Sequence, residues 1–244
     1  MAKNSRNGKF LVVEGPDASG KQTQTARIAE WMRKQDYSSM DSSREKEILD
    51  RMPGKYPEPE SEDDIENGVW KLSFPTYDQT PGGRVVKAYL NGRLGDRDEL
   101  QTMDIVDIYA ADRKQFKDVM RDYLDAGGII ICDRYREANL IHQLVGFEDE
   151  KWDKMLREIK EVDSDLPDAD RIIYLNISPE EAIRRMEDKE KDMHELDTQY
   201  MKDSNRNGIK VAENQGWKII DAEKTIESVE SDVKQVIEKI IESK

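Results

Sequence analysis

The sequence predicts a three-layer α/β fold in which a five-stranded parallel sheet is covered by helices on both faces. Five short apolar segments have the length and composition of strands that are buried on both faces, and longer segments with helical periodicity separate them. Strands that alternate with helices are joined by right-handed crossovers, which place ligands at the carboxyl ends of the strands. The strand segments are residues 10–13, 68–74, 128–133, 171–177 and 216–221.

Six helical segments lie between and after these strands. Ser178 and Pro179 form a cap and first-turn pair that begins the fifth of them. Residues 37–67 differ from the rest, because they are rich in Ser, Pro and acidic residues and poor in apolar ones, so we expect a partly mobile surface insertion there. The helical segments are residues 23–35, 82–90, 97–126, 138–162, 179–214 and 225–243.

The composition restricts the class of protein. The 244 residues carry a net charge of -14, which argues against broad binding to nucleic acids or anionic membranes, because clustered Lys and Arg hold a phosphate backbone. No apolar segment approaches the ~20 residues that span a membrane, and the first residues lack the apolar part of a signal peptide. With a single cysteine, Cys132, the chain forms no internal disulfide. We expect a cytoplasmic protein.

The first predicted strand leads into a glycine-rich loop, which a helical segment follows at once. The loop reads Gly15, Pro16, Asp17, Ala18, Ser19, Gly20, Lys21. Strand, loop and helix in this order are the context of a phosphate-binding P-loop, in which backbone N–H groups, the helix N-terminus and the lysine attract anions. Gln22 stands where Ser or Thr normally offers a hydroxyl to Mg2+, and Thr23 is its neighbour. The loop predicts polyphosphate binding and leaves its metal ligand open.

Further motifs follow the other predicted strands, and in this order and spacing they resemble the thymidylate kinases, which phosphorylate dTMP with ATP. The resemblance covers nearly the whole chain outside the 37–67 insertion. It implies a P-loop kinase fold with a mobile lid at about residues 186–195, and a homodimer. The motifs are Glu-Gly-x-Asp-x-x-Gly-Lys at 14–21, Phe-Pro-x-Tyr at 74–77, Ala-Asp-Arg at 111–113, Asp-Arg-Tyr at 133–135 and Leu-Pro-x-x-Asp at 166–170.

The resemblance implies two neighbouring nucleotide sites. Residues 15–23 would bind ATP, with Lys21 on its phosphates. Tyr109 would stack on the thymine, and Arg113 and Asn139 would read its O4 and N3–C4 edge. Asp17 would accept a hydrogen bond from the 3′-hydroxyl of dTMP. The implied substrate residues are Asp17, Phe74, Tyr77, Tyr109, Arg113, Arg134, Asn139, His142 and, in the lid, Glu195.

Phosphoryl transfer needs cations around the transferred group, and the resemblance implies where they sit. Lys21 and Arg134 are two of them. Because this P-loop has no arginine, a further cation is expected near the lid, with Arg184 or Arg185 preferred, since a planar guanidinium matches phosphate oxygens. Asp133 follows an apolar strand and would hold Mg2+ directly or through water.

Two departures from the family pattern concern selectivity. Ala138 stands where the family usually has Ser beside the base, and His142 stands where an aromatic residue crowds the 2′ position of the sugar. The alternative functions are a kinase for another nucleoside monophosphate and a nucleotide-binding regulatory protein that has lost catalysis. Gln22 in place of the metal-binding hydroxyl favours the second alternative.

Overall fold

A computed structural model of the chain describes residues 8–35, 38–41, 68–95, 99–186 and 198–241, with side chains omitted for residues 33, 38–41 and 198. Six strands in this part of the chain form one parallel sheet, in the order β2-β3-β4-β1-β5-β6. The strands are β1 (Lys9–Glu14), β2 (Ser38–Asp41), β3 (Gly68–Ser73), β4 (Ile129–Asp133), β5 (Arg171–Asn176) and β6 (Lys218–Asp221).

All five predicted strands form, and the α/β fold class is confirmed. The sixth strand, β2, pairs with β3 at the edge of the sheet and lies in the segment that the sequence marks as an insertion. Its residues are mostly polar, so hydrophobicity gives no sign of it, and its place in the sheet depends on main-chain pairing. The rest of the predicted insertion lies outside the described residues.

Nine α-helices and one 3-10 turn, Tyr77–Gln79, are present in the described ranges. No helix among them has the length and apolar content that crossing a membrane requires. The helices are α1 (Lys21–Arg33), α2 (Pro81–Leu90), α3 (Thr102–Lys114), α4 (Lys117–Asp125), α5 (Glu137–Gln143), α6 (Asp149–Val162), α7 (Pro179–Arg185), α8 (Thr198–Asn214) and α9 (Ile226–Ile241).

Three helical segments that the sequence predicts as continuous are broken, and one of them, segment 179–214, breaks after Arg185, where α7 ends. Segment 97–126 breaks after Lys114, where Phe116 donates its N–H to the Arg113 carbonyl three residues back. The break buries the Phe116 ring against Trp70 and Phe74. Segment 138–162 breaks between α5 and α6, where Gly146 has a φ of 84°. The predicted lid lies outside the described residues, except for Met186.

The helices cover both faces of the sheet. Alternate residues of β1 point to opposite sides, so Leu11 and Val13 pack against α1 and α9, through residues such as Ile28 and Val233. On the other face, Val12 packs in the cluster that contains Met120 of α4. Because both faces are apolar, polar side chains can gather only where the strands end, and the site lies there.

Candidate active site

The P-loop connects β1 to α1 and holds its lysine by main-chain contacts. Lys21 Nζ donates to the carbonyl oxygens of Gly15, at 2.8 Å, and Pro16, at 2.7 Å. Gly15 has a φ of 150°, and a Cβ atom there would lie 2.5 Å from the Leu175 carbonyl oxygen, so only glycine fits. Burial and the nearby Arg134 guanidinium lower the pKa of Lys21. An anion bound in the loop would therefore raise the pKa of Lys21 again and keep its ammonium group protonated.

The Asp-Arg-Tyr turn at the end of β4 lies beside this loop. Arg134 has a φ of 62°, and its N–H donates to the Val13 carbonyl oxygen at 3.1 Å. Its guanidinium forms an ion pair with Asp17, and its Nη1 lies 3.5 Å from His142 Nε2. Burial alone would raise the pKa of Asp17, but Arg134 and Lys21 hold it well below its usual range. Asp17 is therefore a permanent hydrogen-bond acceptor.

A cleft with a volume of about 760 Å³ lies over the P-loop. Residues 17–23 of the predicted ATP site line it, together with Asp133 and Arg134, whereas Gly15 and Pro16 contribute the carbonyls that hold Lys21. Residues 222–226, which follow β6, form part of its wall. Sequence reasoning missed them, although the rule that ligands bind after the carboxyl ends of strands points to them.

The two candidate lid arginines differ in their contacts. Arg185 donates to the carbonyl oxygens of Ala18, at 3.3 Å, and Ala222, at 3.0 Å, so it joins the P-loop to the segment after β6. Arg184 is 68% exposed and forms two 2.7 Å hydrogen bonds to Glu181, which also accepts from Arg185 Nε at 2.6 Å. Both arginines line the cleft. Glu195 lies outside the described residues.

A second cleft, with a volume of about 130 Å³, adjoins the first. It contains every implied substrate residue that the structure describes, and also Ala138. Pro75, Leu90, Tyr135 and Gln143 line it as well and were not anticipated. The mixture of aromatic walls and a few polar groups is typical of a small-molecule site. The implied residues that line it are Asp17, Phe74, Tyr77, Tyr109, Arg113, Arg134, Asn139 and His142.

Two polar side chains of the second cleft form hydrogen bonds to residues outside it. Arg113 Nη2 donates to Asp163 Oδ2, while Arg113 Nε is buried with no hydrogen-bond partner in the described part of the chain. Asn139 Nδ2 donates to the Val106 carbonyl oxygen at 3.3 Å. Gln143, one turn further along α5, is buried and offers an amide with both a donor and an acceptor. These groups add buried hydrogen-bonding capacity to a cleft whose other walls are aromatic.

The loop at 74–77 is fixed by a buried carboxylate to which the sequence assigned no role. Asp112 accepts hydrogen bonds from the Thr76 N–H at 2.7 Å, from Thr76 Oγ1 at 2.5 Å and from Thr80 Oγ1 at 2.8 Å. Thr80 in turn caps α2 through the Gly83 N–H. Asp112 therefore sets the position of Tyr77 at the mouth of both clefts.

The two clefts share part of their walls. Five residues line both: Asp17, Phe74, Pro75, Tyr77 and Arg134. A phosphate chain on Lys21 and a ligand in the second cleft would therefore meet at the ion pair of Asp17 and Arg134. This arrangement suits the transfer of a group between two bound molecules.

The residues at this boundary fit a magnesium ion. Asp133 lines the P-loop cleft, and no side chain in the described ranges pairs with its carboxylate. Among the same residues, no group of three or more His, Cys, Asp and Glu side chains could hold a metal alone. Mg2+ at nucleotide sites usually takes one or two carboxylates, with phosphate oxygens and waters as its other ligands. A single carboxylate facing a phosphate site is such a set.

A family model described as thymidylate kinase matches residues 66–233. The chain is 25% identical to the thymidylate kinase of Caenorhabditis elegans over 98% of this chain and 94% of that protein. It is 25% identical to the thymidylate kinase of Prochlorococcus marinus (strain NATL2A) over 97% and 99% of the two chains. A probable thymidylate kinase of Pyrococcus abyssi is 26% identical over 93% and 94%.

Among solved structures, the chain is similar to a thymidylate kinase from Candida albicans. The TM-score is 0.68, the sequence identity is 22%, and the match covers 97% of this chain and 93% of that one. This likeness supports the fold. The P-loop lies outside the family-model match, but it lies inside the matches that span nearly the whole chain.

Proposed function

The chain belongs to the thymidylate kinase family, and from this premise we propose that it transfers the γ-phosphoryl group of ATP to dTMP, giving dTDP and ADP. The observation that carries the proposal is the wall that the two clefts share at Asp17 and Arg134. One cleft contains the P-loop, and the other has aromatic walls and polar groups for a base. Two nucleotides bound in this way would meet by their phosphates.

The transfer is a direct in-line attack. An ionised phosphate oxygen of dTMP forms a bond to the γ-phosphorus as the bond from that phosphorus to the ADP oxygen breaks, so no general base is needed. Lys21 binds the phosphates of ATP, and Arg134 binds the phosphate of dTMP. Arg185 holds the P-loop to the segment after β6, and either it or Arg184 supplies the further cation. Mg2+ at Asp133 would neutralise charge on the phosphate oxygens.

Recognition of dTMP uses residues that line the second cleft. Tyr109 offers an aromatic face to the base, and Arg113 offers a donor to thymine O4. Cytosine presents an amino group at that position, so a guanidinium disfavours it. Asp17 accepts from the 3′-hydroxyl, and His142 limits the space beside the sugar. The similarity to thymidylate kinases does not favour a regulatory protein without catalysis.

We further propose that the enzyme works as a homodimer in the cytoplasm. The family resemblance supports the dimer, and the acidic composition with a single cysteine supports the location. Size-exclusion chromatography with light scattering tests the dimer: a mass near twice 28.3 kDa is expected.

The experiment that tests the activity measures steady-state turnover of ATP with dTMP, dUMP, dCMP and dGMP, with the Lys21→Ala variant as control. We expect dTMP to give the highest kcat/KM and the Lys21→Ala variant to lose at least ~100-fold. Preference for another monophosphate would correct the substrate. Absence of turnover with all four, despite ATP binding, would refute the proposed activity.

A further inference from the structure

Glu14 is a buried carboxyl residue that the proposed mechanism does not use. It is the last residue of β1, directly before the P-loop, and it is 0% exposed. It lines neither cleft. Glu14 therefore contacts no ligand in either cleft, and it can affect the reaction only by changing the position of another residue.

The contacts of Glu14 point to that residue. Glu14 Oε1 accepts the N–H of Tyr135 at 2.8 Å, and within the described chain Oε2 has no hydrogen-bond partner. Tyr135 directly follows Arg134, so the bond is made to the peptide group that joins these two residues. Glu14 thus links the P-loop strand to the Asp-Arg-Tyr turn.

The backbone conformation of Arg134 is one that needs support from neighbouring hydrogen bonds. Its φ of 62° lies in the left-handed region, which residues other than glycine rarely occupy because the Cβ atom is crowded there. The two N–H groups that flank this residue both bond to the end of β1: Arg134 N–H to the Val13 carbonyl and Tyr135 N–H to Glu14. Without the carboxyl, the second N–H would be buried without an acceptor.

The conformation of Arg134 decides where its guanidinium lies. In this conformation the guanidinium pairs with Asp17 and lines both clefts. A different backbone conformation would turn the side chain away from the shared wall. The hydrogen bond from the Tyr135 N–H to Glu14 therefore helps to fix the ion pair between Arg134 and Asp17, although Glu14 contacts neither side chain.

We propose that Glu14 is a positioning residue, whose carboxyl holds the Asp-Arg-Tyr turn so that the Arg134 guanidinium lies where the two nucleotides meet. The proposal rests on the proposed function, because it assigns Arg134 to the phosphate of dTMP. It predicts that an acceptor oxygen at this place is required and that a negative charge is not.

The variants that test this are Glu14→Gln, which keeps the acceptor, and Glu14→Met, which removes it at similar length. We expect Glu14→Met to lower kcat/KM for dTMP by about 10- to 100-fold, with the KM for ATP within about 3-fold of the wild type. Glu14→Gln should stay within about 3-fold of the wild type in both constants. Glu137→Met is the control, since Glu137 is also buried and lines neither cleft, and it should leave the KM for dTMP within about 3-fold.

A double-mutant cycle separates positioning from a general loss of structure. In the Arg134→Ala background, Glu14→Met should cost less than about 2-fold, because the residue through which it acts is gone. An equal cost in both backgrounds, or an unchanged kcat/KM in Glu14→Met, would overturn the proposal. If Glu14→Met does not fold, Glu14→Asp replaces it, because the shorter side chain draws the carboxyl away from the Tyr135 N–H. Wild-type enzyme without turnover would refute the proposed function instead, so the two failures are distinguishable.

Discussion

Arg113 Nη2 lies 2.5 Å from Asp163 Oδ2, and each of the two side chains is 2% exposed. Arg113 is the last-turn residue of α3 and lines the second cleft, whereas Asp163 caps the C-terminus of α6 behind it. A buried guanidinium with one carboxylate partner is neutralised and held in one orientation. The pair therefore fixes the Arg113 guanidinium at the wall of the second cleft.

Asp163→Asn should weaken the discrimination between thymine and cytosine. Without the carboxylate, Arg113 loses its fixed orientation, so we expect the ratio of kcat/KM for dTMP to that for dCMP to fall by about 10-fold. Steady-state kinetics with both nucleotides measure this ratio. Equal losses for the two nucleotides, with a lower melting temperature, would show that the pair serves stability alone.

Arg134→Ala should raise the KM for dTMP by about 100-fold, because the ion pair with Asp17 and the contact with the acceptor phosphate are both lost. Arg136→Ala is the matched control. Arg136 belongs to the same turn, but its guanidinium contacts Asp168 and the Asp163 carbonyl and lines neither cleft. Its KM for dTMP should change by less than about 3-fold. A similar KM change in both variants would remove the assignment of Arg134.

Gln22→Thr should reduce the Mg2+ requirement of the reaction. Gln22 is exposed at the N-terminus of α1 and lines the P-loop cleft, at the place where a hydroxyl would join the metal ligands. We expect the Mg2+ concentration that gives half the maximal rate to fall by about 3-fold or more, measured by titration at fixed ATP and dTMP. An unchanged titration would mean that Asp133 and the phosphates already complete the site.

Glu14→Gln should change how stability depends on pH. Burial raises the pKa of Glu14 to about 8, against the lowering effects of Arg134 and the Tyr135 N–H. Between pH 4.5 and 8 the unfolded chain has released this proton and the folded chain has kept it, so rising pH disfavours the fold. The Glu14→Gln variant lacks this group. As the pH rises from 4.5 to 8, its unfolding free energy should therefore increase relative to that of the wild type by up to about 1.4 kcal/mol per pH unit.

Thermal melting of both proteins from pH 5 to 8 measures this difference. Each kcal/mol corresponds to about 2–4 °C in a chain of this size. Parallel melting profiles would mean that Glu14 is ionised in the folded protein at neutral pH.

The sequence predicted the parts of the fold that depend on local pattern. The apolar runs predicted the five strands, and the rule that ligands lie after strand ends gathered Asp17, Phe74 and Arg134, which do line one cleft. Whether they act as the resemblance implies stays a prediction.

The remaining features depend on contacts between distant parts of the chain. Glu14 and Tyr135 are 121 residues apart, and Arg113 and Asp163 are 50 apart, so nothing in the local pattern pairs them. No glycine or proline marks the break before Phe116, whose ring packs against the distant Trp70 and Phe74. Strand β2 lacks the apolar alternation by which a strand is recognised.

Some residues line both clefts and others line the second cleft alone, and this difference affects how the protein can change over evolution. The shared residues come from the P-loop, the 74–77 loop and the turn after β4, whereas Tyr109, Arg113, Ala138, Asn139 and His142 line the second cleft alone, from α3 and α5. Under the proposed function, substitutions at these five positions would alter which nucleotide is accepted while the residues of the shared wall stay the same, although His142 also lies 3.5 Å from Arg134. Ala138 and His142, the two departures from the family pattern that concern selectivity, both lie on α5. Under the proposed function, the choice of substrate can therefore change at the second cleft while the wall that serves phosphoryl transfer is kept.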